Sequence, residues 1–227
     1  MKKRGFFLFF IFLSCFSHIF GQEIITAEKY LETVSNHYAA IRDYEAVITI
    51  RSGNSDMTGN VSYLSPSFMR IDFTRPAGQV IVFNGDALII YLPEYRAVLN
   101  QDIKRRSGTS GAGIASSQGL SLLRRNYVSS FVTGPNPEPL DGTSGERVIK
   151  LRLTRRSVSE GFREIILNIN PDTKLIRRIE GRTIGENELR FDFSNIRTNV
   201  GIPEARFAYD TPPSANMYNN FLFRDTN

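Results

Sequence analysis

This 227-residue sequence predicts a mainly β fold, one large antiparallel sheet with few helices. Between residues 44 and 99, six short runs alternate apolar and polar side chains or are apolar throughout, each bounded by turn formers. Alternation with period two marks a strand with one buried and one wet face. Only two stretches read as helix, and no strand–helix–strand rhythm appears, which argues against a parallel α/β sheet.

The chain opens with Lys2, Lys3 and Arg4 before the apolar run Phe6 to Leu13. That run is far shorter than the roughly 20 residues a bilayer span needs. It reads as a secretory signal covering residues 1–21, with Gly21 the last residue before cleavage. Residues 22–227 are then expected to form a single domain with 25 basic and 23 acidic side chains. Cys15 leaves with the signal, so the mature domain must be held by its core rather than by a disulfide. Phe12-Leu13-Ser14-Cys15 has a second reading: it loosely resembles a bacterial lipobox, which would lipidate Cys15 and anchor the chain.

Leu31, Val34, Tyr38 and Ile41 recur at helical spacing, with Thr26 as N-cap and Glu28 in the first turn. The period then changes. Ala46, Ile48 and Ile50 share one strand face, and Ser52-Gly53-Asn54 turns the chain into Met57, Gly59, Val61 and Tyr63. After Ser65-Pro66-Ser67, Met69, Ile71 and Phe73 alternate with Arg70 and Asp72. Val80 to Phe83 and Leu88 to Leu92 are apolar on both faces and are joined by Asn84-Gly85-Asp86, a hairpin turn. Tyr95 to Leu99 follows. Residues 101–119 are rich in Gly and Ser, and Leu120, Leu122 and Leu123 lie in a short helix running to Arg125. Strands are expected at Tyr127–Val132, Val148–Leu153, Phe162–Ile169, Leu175–Arg182 and Glu188–Ser194, giving ten or eleven in all.

Little in this inventory can do covalent chemistry. His37 is the one histidine left after cleavage, and with no cysteine it builds neither a zinc site nor a Ser-His-Asp arrangement. The acids alternate with bases on strand faces, as Asp72 does with Arg70 and Asp192 with Arg190, which reads as a solvated charged face. Gly108 to Gly113 lacks the Lys-Ser/Thr completion of a phosphate loop. A mature net charge of +2 with interspersed acids argues against nucleic acid. No metal or cofactor is expected.

What remains is an apolar face. Ile48, Ile50, Met69, Ile71, Phe73, Val82, Leu151 and Phe191 are its members, and only two helical segments are on hand to cover it. A twisted sheet of some ten strands curls. Thin cover over the concave side leaves room for an apolar ligand, whereas full packing makes a sandwich. Both alternatives stand on these residues.

Longer blocks carry a resemblance. Gly59-Asn60-Val61 through Pro66, Phe68-Met69-Arg70-Ile71 and Pro76 is similar to the G-x-[LV]…P-x-x-[FM]-R-[IW]…P block of the periplasmic lipoprotein carrier family, LolA. Val80 to Pro93, Leu120 to Leu123, Phe191 to Asn195 and Phe207 to Pro213 resemble its later blocks in the same order, the last two as closing strands. The resemblance implies an open, incomplete β-barrel covered by a helical lid, with an apolar cavity for the acyl chains of lipoproteins. It also implies a non-enzymatic monomer, loaded by an inner-membrane releasing complex and unloaded to an outer-membrane acceptor. Met69, Ile71, Phe73 and Ile89 would line the cavity, and Leu120, Leu122 and Leu123 would form the lid's underside. Where the family often has an Arg that latches the lid, this chain has Ser65, so Arg70 or another base would take that part. The rival readings are an anchored acceptor of the same fold, an envelope enzyme using paired carboxylates, and a filled structural sandwich.

Overall fold

The computed structural model describes residues 25–103, 115–142 and 145–221. The signal-sequence reading, Cys15 and the Gly108–Gly113 run lie outside the described residues. Helix α1 (Ala27–Ala39) starts where Thr26 caps it, its hydroxyl accepting from the Lys29 amide at 3.2 Å. Strands β1 (Asp43–Ser52), β2 (Ser55–Leu64), β3 (Phe68–Arg75), β4 (Val80–Asn84), β5 (Ala87–Leu92) and β6 (Ala97–Asp102) form an antiparallel meander. Helix α2 (Ser117–Asn126) then carries the chain to the far side of the sheet and into β7 (Tyr127–Phe131). The two-residue β8 (Glu138–Pro139), β9 (Arg147–Arg155), β10 (Phe162–Ile169), β11 (Ile176–Thr183) and β12 (Glu188–Thr198) follow. β12 returns to pair antiparallel with β1, so the two meanders join at the centre of one open sheet. Its ends, β7 and the short parallel strand β13 (Asn216–Asn219), do not pair with each other.

The expected open, mainly β architecture is therefore what the chain adopts, with thirteen strands rather than ten or eleven. β8 and β13 are the additions, both too short and polar to show a period. Phe207 and Tyr209 are not on strands: Phe207 ends a 3-10 turn (Glu204–Phe207), and Tyr209 follows it in irregular backbone. Residues 93–95 form another such turn, which moves the start of β6 to Ala97.

Register explains the core. Phe131, Leu151, Leu167, Ile179, Phe191, Ile50 and Met57 stand directly opposite one another across seven strands, from β7 to β2. A second row runs Ala46, Val61, Ile71, Ile81, Ile90 and Leu99 from β1 to β6. Gly59 lies between them because β3 passes close to β2. A Cβ there would sit 2.6 Å from the Asp72 carbonyl oxygen and 2.9 Å from the Phe73 Cα.

The convex face carries alternating charge. Asp192 accepts from Arg51, Arg178 and Arg190. Two segments cross this face, and each is held by an arginine reaching outward. Arg178 donates to the Leu140 carbonyl and the Asp141 carboxylate. Arg70 donates to the carbonyls of Arg206 (3.3 Å) and Ala208 (3.0 Å). Asp72 joins Arg70 to Arg206. Partial burial acts to raise the Asp72 carboxyl's pKa, but the two guanidinium groups outweigh it and hold it below the usual range. The resulting stability is full above the unfolded value of about 4 and is lost as pH falls through the lower folded value. Acidification below pH 4 is thus expected to release residues 202–209 before the sheet unfolds, which hydrogen exchange of that segment would read. Unchanged protection there as pH falls would refute it.

Candidate functional site

The concave face and the helices over it form the site. Ile48, Ile50, Ile71, Phe73 and Leu151 are buried in one cluster there, and Met69 and Phe191 pack half-buried against it. Val82 and Ile89, expected beside them, are on the opposite face. Register decides this, because Ile71 pairs with Ile81 while Arg70 pairs with Val82, which in turn pairs with Ile89. Val82 is buried with Ile202 and Phe207, and Ile89, Phe68 and Tyr209 pack against them. The segment 202–209 thus covers the outside of β3 to β5, which is why β4 and β5 are apolar on both faces.

Leu120 and Leu123, three residues apart on α2, point into the cluster and are buried. Leu122 is only half-buried and lies outside the cluster, because helical geometry turns it well away from Leu120. Helix α1 covers the neighbouring part with Tyr30, Leu31, Val34 and Tyr38. The helices touch each other, and Arg124 pairs with Glu32 at 3.6 Å. The space bounded by Tyr38, Tyr44, Ala115, Leu175, Ile176, Phe193 and Ile196 has a volume of about 10 Å³. That holds one water at most, so this part of the lid is closed and packed.

Tyr44 holds the start of α2, and Tyr63 packs against it. The Tyr44 hydroxyl donates to the Ala115 carbonyl at 3.0 Å, directly before the N-cap Ser116. The Tyr63 ring stacks on Tyr44 with centroids 5.1 Å apart, and its hydroxyl donates to the Pro66 carbonyl at 3.1 Å. The Ser65 and Ser117 hydroxyls lie near the Tyr63 oxygen. Burial, above all, pushes both phenols' pKa values up, and the two serines oppose this at Tyr63. Ser65 therefore does stand beside the lid. Arg70 does not, being committed to the convex face. The hydrogen bond from β1 to the start of α2 is thus a tyrosine's and not an arginine's. Sequence reading missed it because Tyr44 and Tyr63 look like ordinary inward members of alternating strands; their direct pairing across β1 and β2 was the available signal.

Helix α1 is hydrogen-bonded to the sheet near its C-terminal end, and near its N-terminal end it buries a hydroxyl. The Ile176 amide donates to the Tyr38 hydroxyl at 3.0 Å. The Tyr30 hydroxyl is buried with no partner among the described residues, although the Lys174 ammonium lies 5.5 Å from its ring centre. Burial, reinforced by Asp172, pushes its pKa up to about 12. Leaving such a group unsatisfied costs roughly 1–3 kcal/mol. Tyr30→Phe is accordingly expected to raise unfolding stability by about 1 kcal/mol, read as a higher urea midpoint at unchanged slope. A lower midpoint would mean the hydroxyl has a partner after all.

Among the described residues, no group of three or more His, Cys, Asp or Glu is placed to hold a metal, and His37 is exposed on α1. No described helix is long and apolar enough to cross a membrane.

An open sheet with an apolar face beneath two short helices defines the class: a mainly β, lidded fold whose sheet does not close into a barrel. The sequence model of the family described as "Outer membrane lipoprotein carrier protein LolA" matches residues 50–210, and the chain belongs to that family. It is 25% identical over 160 residues to a protein of Bordetella avium named outer-membrane lipoprotein carrier protein, covering 70% of each chain. Solved structures share the fold. An uncharacterised conserved protein of Thermus thermophilus superposes with a TM-score of 0.56 at 14% identity, over 85% of this chain and 98% of that one. The lipoprotein LppX of Mycobacterium tuberculosis superposes with a TM-score of 0.51 at 13% identity, over 78% and 97%.

Proposed function

We propose that the chain is a periplasmic carrier that takes up the acyl chains of lipoproteins on its concave face and moves them from the inner to the outer membrane, with no catalytic step. A releasing complex would load it and an acceptor with higher affinity would unload it, since a ligand moves only toward tighter binding. The observation that carries this reading is the apolar row across seven strands, covered by helices whose described polar attachments are few. Family membership and the Bordetella relative's name support the same cargo.

The energetics suit a reversible lid. Lifting α2 exposes Leu120 and Leu123, at a cost of about 3–6 kcal/mol. Burying an acyl chain returns about 0.8 kcal/mol per methylene, so roughly four to eight methylenes offset the opening. That is fewer than one myristoyl chain offers. Against water a loaded chain is therefore held firmly, while its transfer to another apolar site changes the free energy little.

The test is native mass spectrometry of the mature protein purified from its own envelope, with lipid and peptide analysis of bound material. Acylated protein or acyl chain in near one-to-one amount is the expected result. A clean apo mass, together with no uptake of a fluorescent acyl probe, would sink the carrier reading and leave a filled sandwich.

A further inference from the structure

The antiparallel register places the turns between β1 and β2, between β9 and β10, and between β11 and β12 on one rim of the sheet. Two of these tips carry exposed aliphatic side chains: Val158 is 79% exposed and Ile184 is 55% exposed. Only β10 and β11 separate the tips, so they stand about 10 Å apart. They are braced, because Arg163 beside one tip pairs with Glu186 in the other, and the hydroxyls of Ser157 and Ser159 bond at 2.9 Å across the first turn. Single exposed aliphatics are ordinary on a protein surface. What sets these apart is their position: the concave face reaches this rim with Met57, Phe162 and Phe191 only half-buried. The apolar lining therefore comes to the surface directly beside the two tips.

The charge around the tips has one sign in excess. Arg125 lies in the last turn of α2, and Arg155 and Arg156 lead into the Val158 turn. Arg163 and Arg182 are balanced by Glu186 and Glu188. Arg125 and Arg156 are exposed and have no ion-pair partner among the described residues, and Glu160 is the one acid within the Val158 turn.

We propose that this rim is a membrane-docking surface: Val158 and Ile184 enter the headgroup region of an anionic phospholipid bilayer while Arg125 and Arg156 meet its phosphates. The role of this surface rests on the carrier reading, since docking here would bring the half-buried end of the apolar lining against the bilayer from which an acyl chain leaves. Exposed aliphatic tips with adjacent unpaired cations suit a bilayer surface, which is apolar below and anionic above.

The test is co-flotation of the full mature chain with vesicles of phosphatidylethanolamine and phosphatidylglycerol, against vesicles of phosphatidylcholine alone. Binding to the anionic vesicles is expected to weaken with salt. It should also weaken about 30-fold in R125S/R156S, from a factor of about five per arginine. V158D/I184D should abolish it. All of these side chains are exposed or at turns, so the variants should keep the parent's circular dichroism and its uptake of a soluble acyl probe. Equal vesicle binding by parent and variants, equal binding to phosphatidylcholine, or no vesicle binding with probe uptake intact overturns the proposal and leaves the rim a surface for a protein partner. Loss of probe uptake in the parent, with vesicle binding still dependent on Val158, supports docking and sinks the carrier reading alone.

Discussion

Removing the hydroxyl of Tyr44, as Tyr44→Phe, is expected to tighten the apparent binding of an acyl probe by up to about fivefold. The Tyr44 hydroxyl makes a neutral hydrogen bond of about 1 kcal/mol net to the Ala115 carbonyl, whereas the Tyr63 hydroxyl donates to Pro66 in the turn between β2 and β3. The Tyr44 bond biases the lid toward closure by about 1 kcal/mol, a factor of roughly five. A ligand that needs the open lid binds with its intrinsic affinity multiplied by the open fraction. Raising that fraction therefore raises apparent affinity until the lid is mostly open. The rings should stay stacked and buried, so the sheet itself should be little affected. Probe titration of parent and variant, with hydrogen exchange on residues 115–120, reads both consequences. Unchanged affinity with unchanged exchange would mean that Tyr44 holds packing and not a lid. The same hydroxyl carries a pH signature. Because burial raises the Tyr44 phenol's pKa, the closed state is favoured below about pH 10. It loses that advantage as pH rises and the exposed phenol ionises.

Phe73→Glu is expected to abolish acyl binding while leaving a folded chain. Phe73 is 4% exposed on the concave face, directly opposite Gly59. A carboxylate there destabilises the closed state by several kcal/mol, through lost apolar burial and a desolvated charge. Opening the lid relieves much of that cost, because the carboxylate then meets water. An acyl chain can no longer close over it without burying the charge again. Binding should thus fall by at least about a hundredfold at pH 7, with partial recovery at acidic pH as the carboxyl protonates. Ile71→Glu, one row away, should behave alike. Equal losses of binding and unfolding stability, measured by probe titration and urea, would show these residues to be permanent core. Phe207→Ala is the control, since Phe207 is fully buried on the opposite face of the sheet and should cost about 3–5 kcal/mol of stability.

Most of the sheet was legible because its strands are wet on one face. Met69, Ile71 and Phe73 alternate with Arg70 and Asp72, and Leu151 alternates with Lys150 and Arg152, so composition alone assigns each side chain to a face. The helix starting after Thr26 was legible for a similar reason, its cap and its stripe agreeing. Legibility failed where both faces are covered. Val80 to Phe83 and Leu88 to Leu92 have no polar phase to read, so Val82 and Ile89 were assigned inward when register puts them outward beneath residues 202–209. It failed again where function depends on a partner distant in sequence. Nothing local says that Tyr44 meets Ala115, 71 residues on, or that Arg70 holds a segment 136 residues away.

By itself, then, the sequence determined the class of fold, the apolar character of one face and the poverty of catalytic groups. These follow from side-chain period and residue type, which are local. Only the tertiary structure decided which apolar strands face the lid and which lie under the C-terminal segment. It also decided that the start of α2 is bonded by the Tyr44 hydroxyl rather than by an arginine, and that the half-buried end of the lining lies beside Val158 and Ile184. Those outcomes depend on strand register and on contacts between distant segments, and in an antiparallel sheet a shift of one residue exchanges the two faces.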